Sequence, residues 1–338
     1  MISIDLGYGY TKAVTNQKKI IFPSVIAPAQ ESTADFGKSL DYLLEYRNKD
    51  EITKHQLFVG DLAAKGSRVP VASLKRTKFT QQESIAMTLT AAYLLECEKQ
   101  THLVLGLPLA YYKSQYRDVK DVFQRVAAYI SVNKGPERFI SFSRVNIFAQ
   151  GAGAVYAQSD LPEKGLVGLL DIGYYTTNCI LFECTPEDVE PLKPYNLTIE
   201  IGVSTALKYY SEKMGQLTGA PISLIDAQYL WKRRHFLFRG VAIDSGSIIS
   251  EAKKAVVSSL TESVMNIWSE KIDRMDDLLL SGGGSLEFNN EIKKVFPLAR
   301  LVKEPQFANA LGYLELAEGL DTPEKISEHS PESMRHKA

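Results

Sequence analysis

The same short pattern occurs twice, about half a chain length apart. The first copy reads ISIDLGYGYTKAV, from Ile2 to Val14, and the second reads GLLDIGYYTTNCILF, from Gly168 to Phe182. Each copy is an apolar run, then Asp-x-Gly, then a turn rich in glycine, tyrosine and threonine, then a second β-prone run. Asp5 therefore corresponds to Asp171. The repeat predicts two similar domains, each of which ends a strand at a carboxylate.

Glycine-rich turns beside carboxylates suit a triphosphate with its metal ion. Backbone N–H groups in such turns cradle phosphates, and carboxylates hold Mg²⁺ through its water ligands. Lys12 adds a point charge against a β- or γ-phosphate, and Thr176 and Thr177 add hydroxyl donors. Taken alone, the first copy is equally consistent with a plain β-hairpin, and the second with an Asx turn at a strand end. Two buried-type aspartates in repeated contexts favour the binding site, since an unpartnered one is costly.

Two further motifs follow apolar strands. SGGGS, Ser281–Ser285, comes directly after Leu278–Leu280, and its three glycines let the backbone lie flat against a ligand. A helix predicted at Leu286–Phe296 would direct N–H groups at that ligand, and a flexible turn is the plain alternative. NIFAQGAGA, Asn146–Ala154, ends a strand at Gln150, where an amide can orient an attacking water. A glutamine at a helix start is nevertheless more often structural.

Composition narrows the class of protein. The 338 residues exceed a usual single domain, and 45% hydrophobic with 23% charged residues is typical of a soluble globular protein. A net charge of −1 does not indicate direct nucleic-acid binding through a broad positive surface. Cys97, Cys179 and Cys184 lack metal-ligand spacing and predict buried thiols in a reducing compartment. We see no signal peptide and no apolar run long enough to span a bilayer, and we expect a cytoplasmic protein.

Strand hairpins followed by strand–helix units, twice over, indicate α/β domains. We expect a helix at Leu40–Tyr46 and a strand at Leu57–Val59 within a small inserted subdomain, and Ser204 as the N-cap of its helix. From Asp321 onward the chain is polar, and we expect a frayed tail. The remaining predicted helices are Gln82–Lys99, Tyr116–Tyr129, Gly151–Gln158, Ser204–Met214, Ser223–Arg234, Ser247–Trp268 and Phe307–Glu318.

The order of these motifs resembles the actin-like ATPase superfamily, which includes actin, heat-shock chaperone ATPase domains and sugar kinases. The resemblance spans about Ile2 to Glu318. The first hairpin together with FPSVIAP, Phe22–Pro28, and the compact length are most similar to bacterial and archaeal actin-like proteins of the ParM plasmid-segregation type. The resemblance implies a two-domain actin-like (ribonuclease H-like) α/β fold, with mixed sheets flanked by helices and the nucleotide in the interdomain cleft.

The resemblance also implies a division of the chain. Domain I would comprise residues 1–149 and 305–320, with an inserted subdomain at about 23–75, and Ala308–Glu318 would be the helix that returns to it. Domain II would comprise residues 150–304, with a smaller subdomain at about 202–274. Residues 321–338 would be the polar tail.

Individual residues acquire roles from the same resemblance. Asp5 and Asp171 would organise Mg²⁺ and its waters, and Gln150 would position the hydrolytic water, where some relatives have glutamate; these three are the expected catalytic residues. The phosphates would be wrapped from one side by Gly7, Tyr8, Gly9, Tyr10, Thr11 and Lys12, and from the other by Gly173, Tyr174, Thr176 and Thr177. Gly282, Gly283 and Gly284 would flank the adenosine, and Gly202 and Lys253 would line the ribose and base.

The implied function is an ATPase that binds ATP with Mg²⁺ and polymerises into dynamic filaments, with GTP as the open alternative. The task would be plasmid or DNA segregation, or another cytoskeletal role. The implied partners are copies of the chain itself and an adaptor protein bound to centromere-like DNA.

Three other functions remain open at this point. A sugar or metabolite kinase on the same scaffold would need an inserted substrate pocket with a catalytic aspartate, and no further Asp-Gly motif stands near the second hairpin. A non-polymerising ATP-dependent regulator or chaperone-like switch is a second alternative, although the tail after Asp321 is too short for a chaperone's substrate-binding domain. An inactive α/β scaffold with two hairpins is the third.

Overall fold

The structure is a computed structural model and describes residues 1–29, 41–66 and 78–321. The chain forms two compact units. The first comprises Met1–Ala157 and the segment that begins at Phe307, and the second comprises Gln158–Gln306. The expected polar tail after Asp321, and residues 30–40 and 67–75 of the expected inserted subdomain, lie outside the described residues.

The first unit is built on one mixed sheet of nine strands among the described residues, in the spatial order β3-β2-β1-β7-β9-β8-β5-β6-β4. The strands are β1 (Ile2–Leu6), β2 (Tyr10–Val14), β3 (Lys19–Pro23), β4 (Ile26–Pro28), β5 (Asp41–Asn48), β6 (His55–Gly60), β7 (Thr101–Leu107), β8 (Ala127–Val132) and β9 (Arg138–Ala149). Strands β1, β7 and β9 are parallel neighbours. Their carboxyl ends therefore meet at one edge of the sheet.

Helices cover both faces of the central strands in this unit. The helices described in this unit are α2 (Gln82–Leu94), α3 (Leu109–Gln124), α4 (Ala152–Tyr156), α9 (Ala308–Asp321) and α1 (Asp61–Gly66), of which α1 packs on β4, β5 and β6 instead. Ile4 and Leu105 join the large core that includes residues of α2 and α3, whereas Val104 packs with Tyr313 of α9. Burial on both faces explains why these strands read as continuous apolar runs.

Helices α4 and α9 approach each other at two glycines. A Cβ at Gly153 would lie 2.7 Å from the carbonyl oxygen of Asn309, and a Cβ at Gly312 would collide with the backbone of Gly153. The first unit therefore extends to Ala157, past the boundary expected at residue 149, because α4 packs on α9 within it.

The second unit has a sheet in the order β12-β11-β10-β16-β17, with β13 also pairing with β11, and a separate two-stranded hairpin, β14–β15. Its strands are β10 (Gly165–Ile172), β11 (Thr177–Cys184), β12 (Val189–Pro191), β13 (Leu197–Ile199), β14 (His235–Phe238), β15 (Val241–Asp244), β16 (Asp277–Ser281) and β17 (Ala299–Leu301). Its helices are α5 (Val203–Thr218), α6 (Leu224–Arg233), α7 (Gly246–Trp268) and α8 (Gly283–Val295). Leu170 of β10, Leu280 of β16, Leu260 of α7 and Phe288 of α8 share its core.

Several predictions of helices and of their ends are wrong. The helix expected at Leu40–Tyr46 is strand β5, because Leu44 and Tyr46 enter the main core while Leu43 joins a small cluster elsewhere. The helix expected at Tyr116–Tyr129 is α3, which starts and ends earlier. Strand β8 follows it, with alternate residues buried. Helix α2 ends at Leu94 rather than Lys99.

Other predictions are confirmed. Both Asp-x-Gly hairpins form, as β1–β2 and β10–β11. Cys97, Cys179 and Cys184 are buried free thiols, and burial raises the pKa of Cys97 to about 11. Among the described residues, no helix combines the length and apolarity needed to cross a membrane.

Candidate functional site

Asp5 is the centre of a polar cluster in the first unit. It is the fourth residue of β1 and only 5% exposed. Lys12 Nζ donates to Oδ2 of Asp5 at 2.9 Å, and Gln150 Nε2 donates to Oδ1 at 2.9 Å. Lys12 lies opposite Asp5 in the β1–β2 pair, and Gln150 follows β9, whose carboxyl end shares the edge with that of β1. The fold thus brings three of the expected site residues together.

The turn of this hairpin is tightly closed. A Cβ at Gly7 would lie 2.7 Å from the carbonyl oxygen of Tyr10, so a larger residue would push the turn open. The carbonyl of Gly9 accepts a hydrogen bond from Ser24 N at 3.0 Å, which ties the turn to the end of β3. Tyr8 and Tyr10 are half-buried on either side of Gly9. The backbone of this turn is held in a fixed shape beside Asp5.

Thr11 does not face the ligand side that we expected. Its side chain is fully buried, 2.9 Å from the Ser24 hydroxyl and 3.3 Å from the Met87 sulfur. Successive side chains of a strand alternate between faces, so Thr11 points to the core while Lys12 points to Asp5. The hydroxyl of Thr11 is a structural group, and only its backbone belongs to the hairpin.

Asp171 occupies the corresponding place in the second unit. It is the seventh residue of β10, 7% exposed, and its Oδ1 accepts a hydrogen bond from the Ser281 hydroxyl at 2.8 Å. Ser281 is its register partner on the parallel strand β16. Gly173 N donates to the Thr176 carbonyl at 2.8 Å and closes the hairpin turn, where Tyr174 and Thr176 are half-buried.

The N-terminus of α8 lies directly beside Asp171. Gly282 precedes the helix with a φ of 80°, and a Cβ there would lie 2.8 Å from Asp171 Oδ1. Gly283 and Gly284 form the first turn of α8, which begins three residues earlier than predicted. The triple glycine is therefore the start of a helix rather than a flexible loop. Its N–H groups carry the positive end of the helix dipole, which favours anions.

The N-terminus of α5 meets the same hairpin. Ser204 N donates to the Tyr174 carbonyl at 2.7 Å, and a Cβ at Gly202 would lie 2.6 Å from that oxygen. The prediction that Ser204 caps α5 is wrong, because Gly202 occupies the N-cap and Ser204 lies in the first turn. Only glycine permits this approach of hairpin and helix.

Thr177 serves as an anchor for this junction. It is fully buried, and its hydroxyl donates to the Ile201 carbonyl at 2.7 Å. Its donor is thereby committed to the chain that leads into α5. Of the two threonines expected to contact phosphate, Thr176 is the one in the half-buried turn.

Lys253 belongs to a cluster that the sequence analysis missed. Its Nζ lies 3.1 Å from Oε2 of Glu287, and Trp231 Nε1 donates to the same oxygen at 3.2 Å. Glu287 is four residues into α8 from Gly283, and residues at that spacing share a helix face. Because α6, α7 and α8 each contribute one residue, no local pattern signals the cluster.

Gln306 is a second residue without a sequence signal. Its amide Nε2 would lie 3.6 Å from a Cβ at Gly283, and the preceding Pro305 carbonyl accepts a hydrogen bond from Gly282 N at 2.8 Å. The segment after β17 thus covers the start of α8. A side chain on Gly283 would meet Gln306, so the glycine keeps this surface flat.

The carboxylates suit a hydrated magnesium ion rather than a protein cage. Among the described residues, no group of three or more His, Cys, Asp and Glu side chains could hold a metal ion by itself. Mg²⁺ usually keeps several waters and is bound by one or two carboxylates together with substrate phosphates. Asp5 and Asp171 each fit that kind of contribution.

Comparison with known proteins identifies the chain. A model of the N-terminal domain of actin-like proteins matches residues 3–153, and a model of the C-terminal domain of the MreB-like archaeal actin homologue matches residues 169–294. The chain is an actin-like protein. An archaeal actin homolog from Thermoplasma acidophilum is 24% identical over 330 residues, which cover 94% of this chain and 98% of the relative.

Solved structures show the same fold as this actin-like protein. A 15-stranded ParM filament from Clostridium botulinum superposes with a TM-score of 0.83 at 23% identity, covering 94% of this chain and 98% of the other. An archaeal actin homolog in complex with ADP superposes with a TM-score of 0.76 at 24% identity, covering 94% and 99%. The predicted two-domain actin-like α/β fold is therefore confirmed.

Removing the cation beside Asp5 tests whether this cluster is as tightly coupled as its geometry indicates. We expect Lys12→Met to lower the free energy of unfolding by about 3 kcal/mol, because it leaves a buried carboxylate with one partner fewer. The matched control is the double variant Lys12→Met with Asp5→Asn, which removes both charges and should recover part of the loss. Chemical denaturation measures all three proteins. Equal stability of Lys12→Met and the wild type would contradict the coupling.

Proposed function

We propose that this actin-like protein binds ATP with Mg²⁺, hydrolyses it and assembles with copies of itself into filaments. The observation that carries the proposal is the recurrence of one arrangement: a buried aspartate near the end of a strand, beside a closed glycine turn, in each unit. The second unit adds the N-terminus of α8, which lies beside Asp171. These features supply N–H donors for phosphates and carboxylates for a hydrated cation.

Lys12 and Gln150 of the first unit have different proposed roles in ATP hydrolysis. Lys12 already carries its charge at the glycine turn, 2.9 Å from Asp5, and can stabilise the negative charge of a β- or γ-phosphate. Gln150 donates its amide N–H to Asp5, so its amide oxygen is oriented to accept a hydrogen bond from a water. Glutamine cannot remove a proton, and its role is to align that water for in-line attack.

The residues of the second unit hold the rest of the nucleotide. Asp171, fixed by Ser281, would hold waters of Mg²⁺, which when bound neutralises charge on the transferred phosphoryl group. The first turn of α8 would direct backbone N–H groups to the ligand, with Gly283 presenting a flat surface for the adenosine, while the first turn of α5 holds the hairpin in place through the bond from Ser204 N to the Tyr174 carbonyl. Lys253 and Gly202 would lie at the ribose and base, Lys253 being positioned by Glu287.

Self-assembly and cellular role are proposed from the kind of protein that this chain resembles. One of its structural neighbours is a ParM filament, and another holds ADP. We propose a cytoskeletal task in the cytoplasm, in the first place DNA segregation through an adaptor protein bound to centromere-like DNA. The near-neutral charge of the chain supports an adaptor rather than direct DNA binding.

Nucleotide-dependent thermal stabilisation tests the binding step. We expect ADP or ATP with Mg²⁺, at a concentration about 100 times the dissociation constant, to stabilise the fold by about 2.7 kcal/mol, and ATP to produce filaments visible by electron microscopy. GTP in parallel settles the base preference. No shift with any nucleotide would overturn nucleotide binding, and a shift without filaments would favour a non-polymerising regulator.

A further inference from the structure

A strongly basic hairpin projects from the second unit. The basic hairpin, residues 232–244, comprises the end of α6 and the β14–β15 pair, and its exposed cations are Lys232, Arg233, Arg234 and Arg239. Among the described residues, no carboxylate lies within ion-pair distance of these four side chains; Arg233 stacks on Tyr229 and Arg239 on Phe238 instead. The one acidic residue of the hairpin, Asp244, lies 3.6 Å from His235.

The hairpin also exposes apolar side chains near its tip. Leu237 is 73% exposed and Val241 is 65% exposed, on either side of the Arg239–Gly240 turn. Phe236 and Ile243, by contrast, pack against the core of the unit. The tip therefore presents two exposed apolar side chains beside the cation of Arg239, and the other three cations lie at the base of the hairpin. Docking surfaces commonly combine an apolar centre with a polar rim.

An acidic surface is present in the same unit. The acidic turn, residues 183–190, joins β11 to β12 and carries Glu183, Glu187, Asp188 and Glu190. Glu183 and Glu190 are cross-strand partners, and like charges in such a pair are destabilising. The turn is rigid, because Thr185 N donates to the Asp188 carbonyl at 2.9 Å and Pro186 follows Thr185. The four carboxylates give this turn a negative surface that a cationic partner complements.

The two surfaces lie at opposite ends of helix α7. The basic hairpin is joined to the start of α7, where the Ser245 hydroxyl donates to the Arg234 carbonyl at 2.9 Å. The segment that follows the acidic turn lies at the other end: Trp268, the last residue of α7, donates from Nε1 to the carbonyl of Tyr195, five residues past Glu190, at 2.9 Å. With 23 residues, α7 is about 34 Å long. The basic hairpin and the acidic turn of one molecule are therefore too far apart to contact each other.

We infer that the basic hairpin of one copy docks on the acidic turn of the next copy. This inference rests on the proposed self-assembly and names the surfaces that carry it. Two complementary patches that lie toward opposite ends of α7 form a heterologous, head-to-tail contact between copies, which extends into a filament when the rotation does not close. The net charge of −1 does not indicate a broad positive surface for a nucleic acid, whereas the acidic turn of another copy complements the charge of the basic hairpin.

Two charge reversals and their mixture test this contact. Variant H carries Arg234→Glu with Arg239→Glu, and variant T carries Glu183→Lys with Glu187→Lys. We expect either variant alone to need about tenfold or more protein than the wild type for ATP-dependent assembly. A one-to-one mixture should assemble near the wild-type concentration, because each reversed hairpin then meets a reversed turn in an alternating polymer.

The control is Lys293→Glu with Lys294→Glu, an equal change of charge on exposed residues at the end of α8, which should assemble as the wild type does. Thermal stabilisation by ADP checks each variant for folding.

The inference would be wrong, and the proposed function would stand, if the wild type assembled and variants H and T assembled equally well. The same conclusion would follow if the mixture of H and T showed no rescue. Failure of the wild type to assemble would overturn the proposed function as well. Loss in variant H of binding to duplex DNA or phosphatidylserine vesicles, with assembly unchanged, would assign the hairpin to that ligand and overturn the inference.

Discussion

ATP hydrolysis is expected to fall by about 100-fold or more when Asp171 is replaced by asparagine. The substitution keeps the size of the side chain and its hydrogen bond from Ser281, so β10 and β16 should remain paired. It removes the negative charge that would hold the waters of Mg²⁺, and an amide is a much weaker partner for a hard dication. Phosphate release at saturating ATP measures the effect.

The matched control is Asp273→Asn, an exposed carboxylate of the same unit in the 3-10 helix Ser269–Arg274 that follows α7. It should hydrolyse ATP at the wild-type rate. Thermal unfolding of both variants near the wild-type temperature would show that the loss is chemical. If Asp171→Asn retained full turnover, the assignment of this carboxylate would be wrong, and Asp5 would be the only candidate that remains from the repeat.

A large loss of stability is expected at Gly312. We expect Gly312→Ala to destabilise the first unit by about 3 kcal/mol, because its methyl group would occupy the position of the Gly153 backbone. Helices α4 and α9 would have to separate, which also disturbs the hydrogen bond from Gly151 N to Asn309 Oδ1 at 2.9 Å. For a unit of this size the unfolding temperature should fall by about 6–12 °C.

Gly319→Ala is the control on the same helix. Nothing lies within 4 Å of a Cβ at Gly319, so alanine there should stabilise α9 by about 0.5–1 kcal/mol through its better helix propensity. Calorimetry of the two variants gives opposite signs if close packing at Gly312 is the cause. A stabilising effect of both substitutions would show that α4 moves away without cost.

The parts of the fold that the sequence predicted well have strong local signals. The two hairpins combine an apolar strand, a fixed Asp-x-Gly and a β-prone return, and the start of α8 follows a buried strand with three glycines. Gln150 was placed correctly at the end of β9, but only the fold could show that its amide reaches Asp5, because the two residues are far apart in the chain.

The parts that the sequence did not predict depend on tertiary contacts. The run DYLLEY of β5 suits a helix as well as a strand, and its pairing with β6 and β8 decides the outcome. Ser204 has a good capping side chain, but the carbonyl of Tyr174 takes its N–H and Gly202 becomes the cap. The contact of Lys253 with Glu287 joins two helices that no sequence periodicity connects.

The central claim is that this chain both hydrolyses ATP and assembles with copies of itself, and one experiment tests both parts together. Phosphate release and light scattering are recorded together on the wild-type protein, with ATP and Mg²⁺, over a series of protein concentrations. Our account predicts that both signals are low below a critical concentration and rise together above it, since assembled copies carry out the hydrolysis. Phosphate release that increases in proportion to protein concentration, with no scattering at any concentration, would contradict the account.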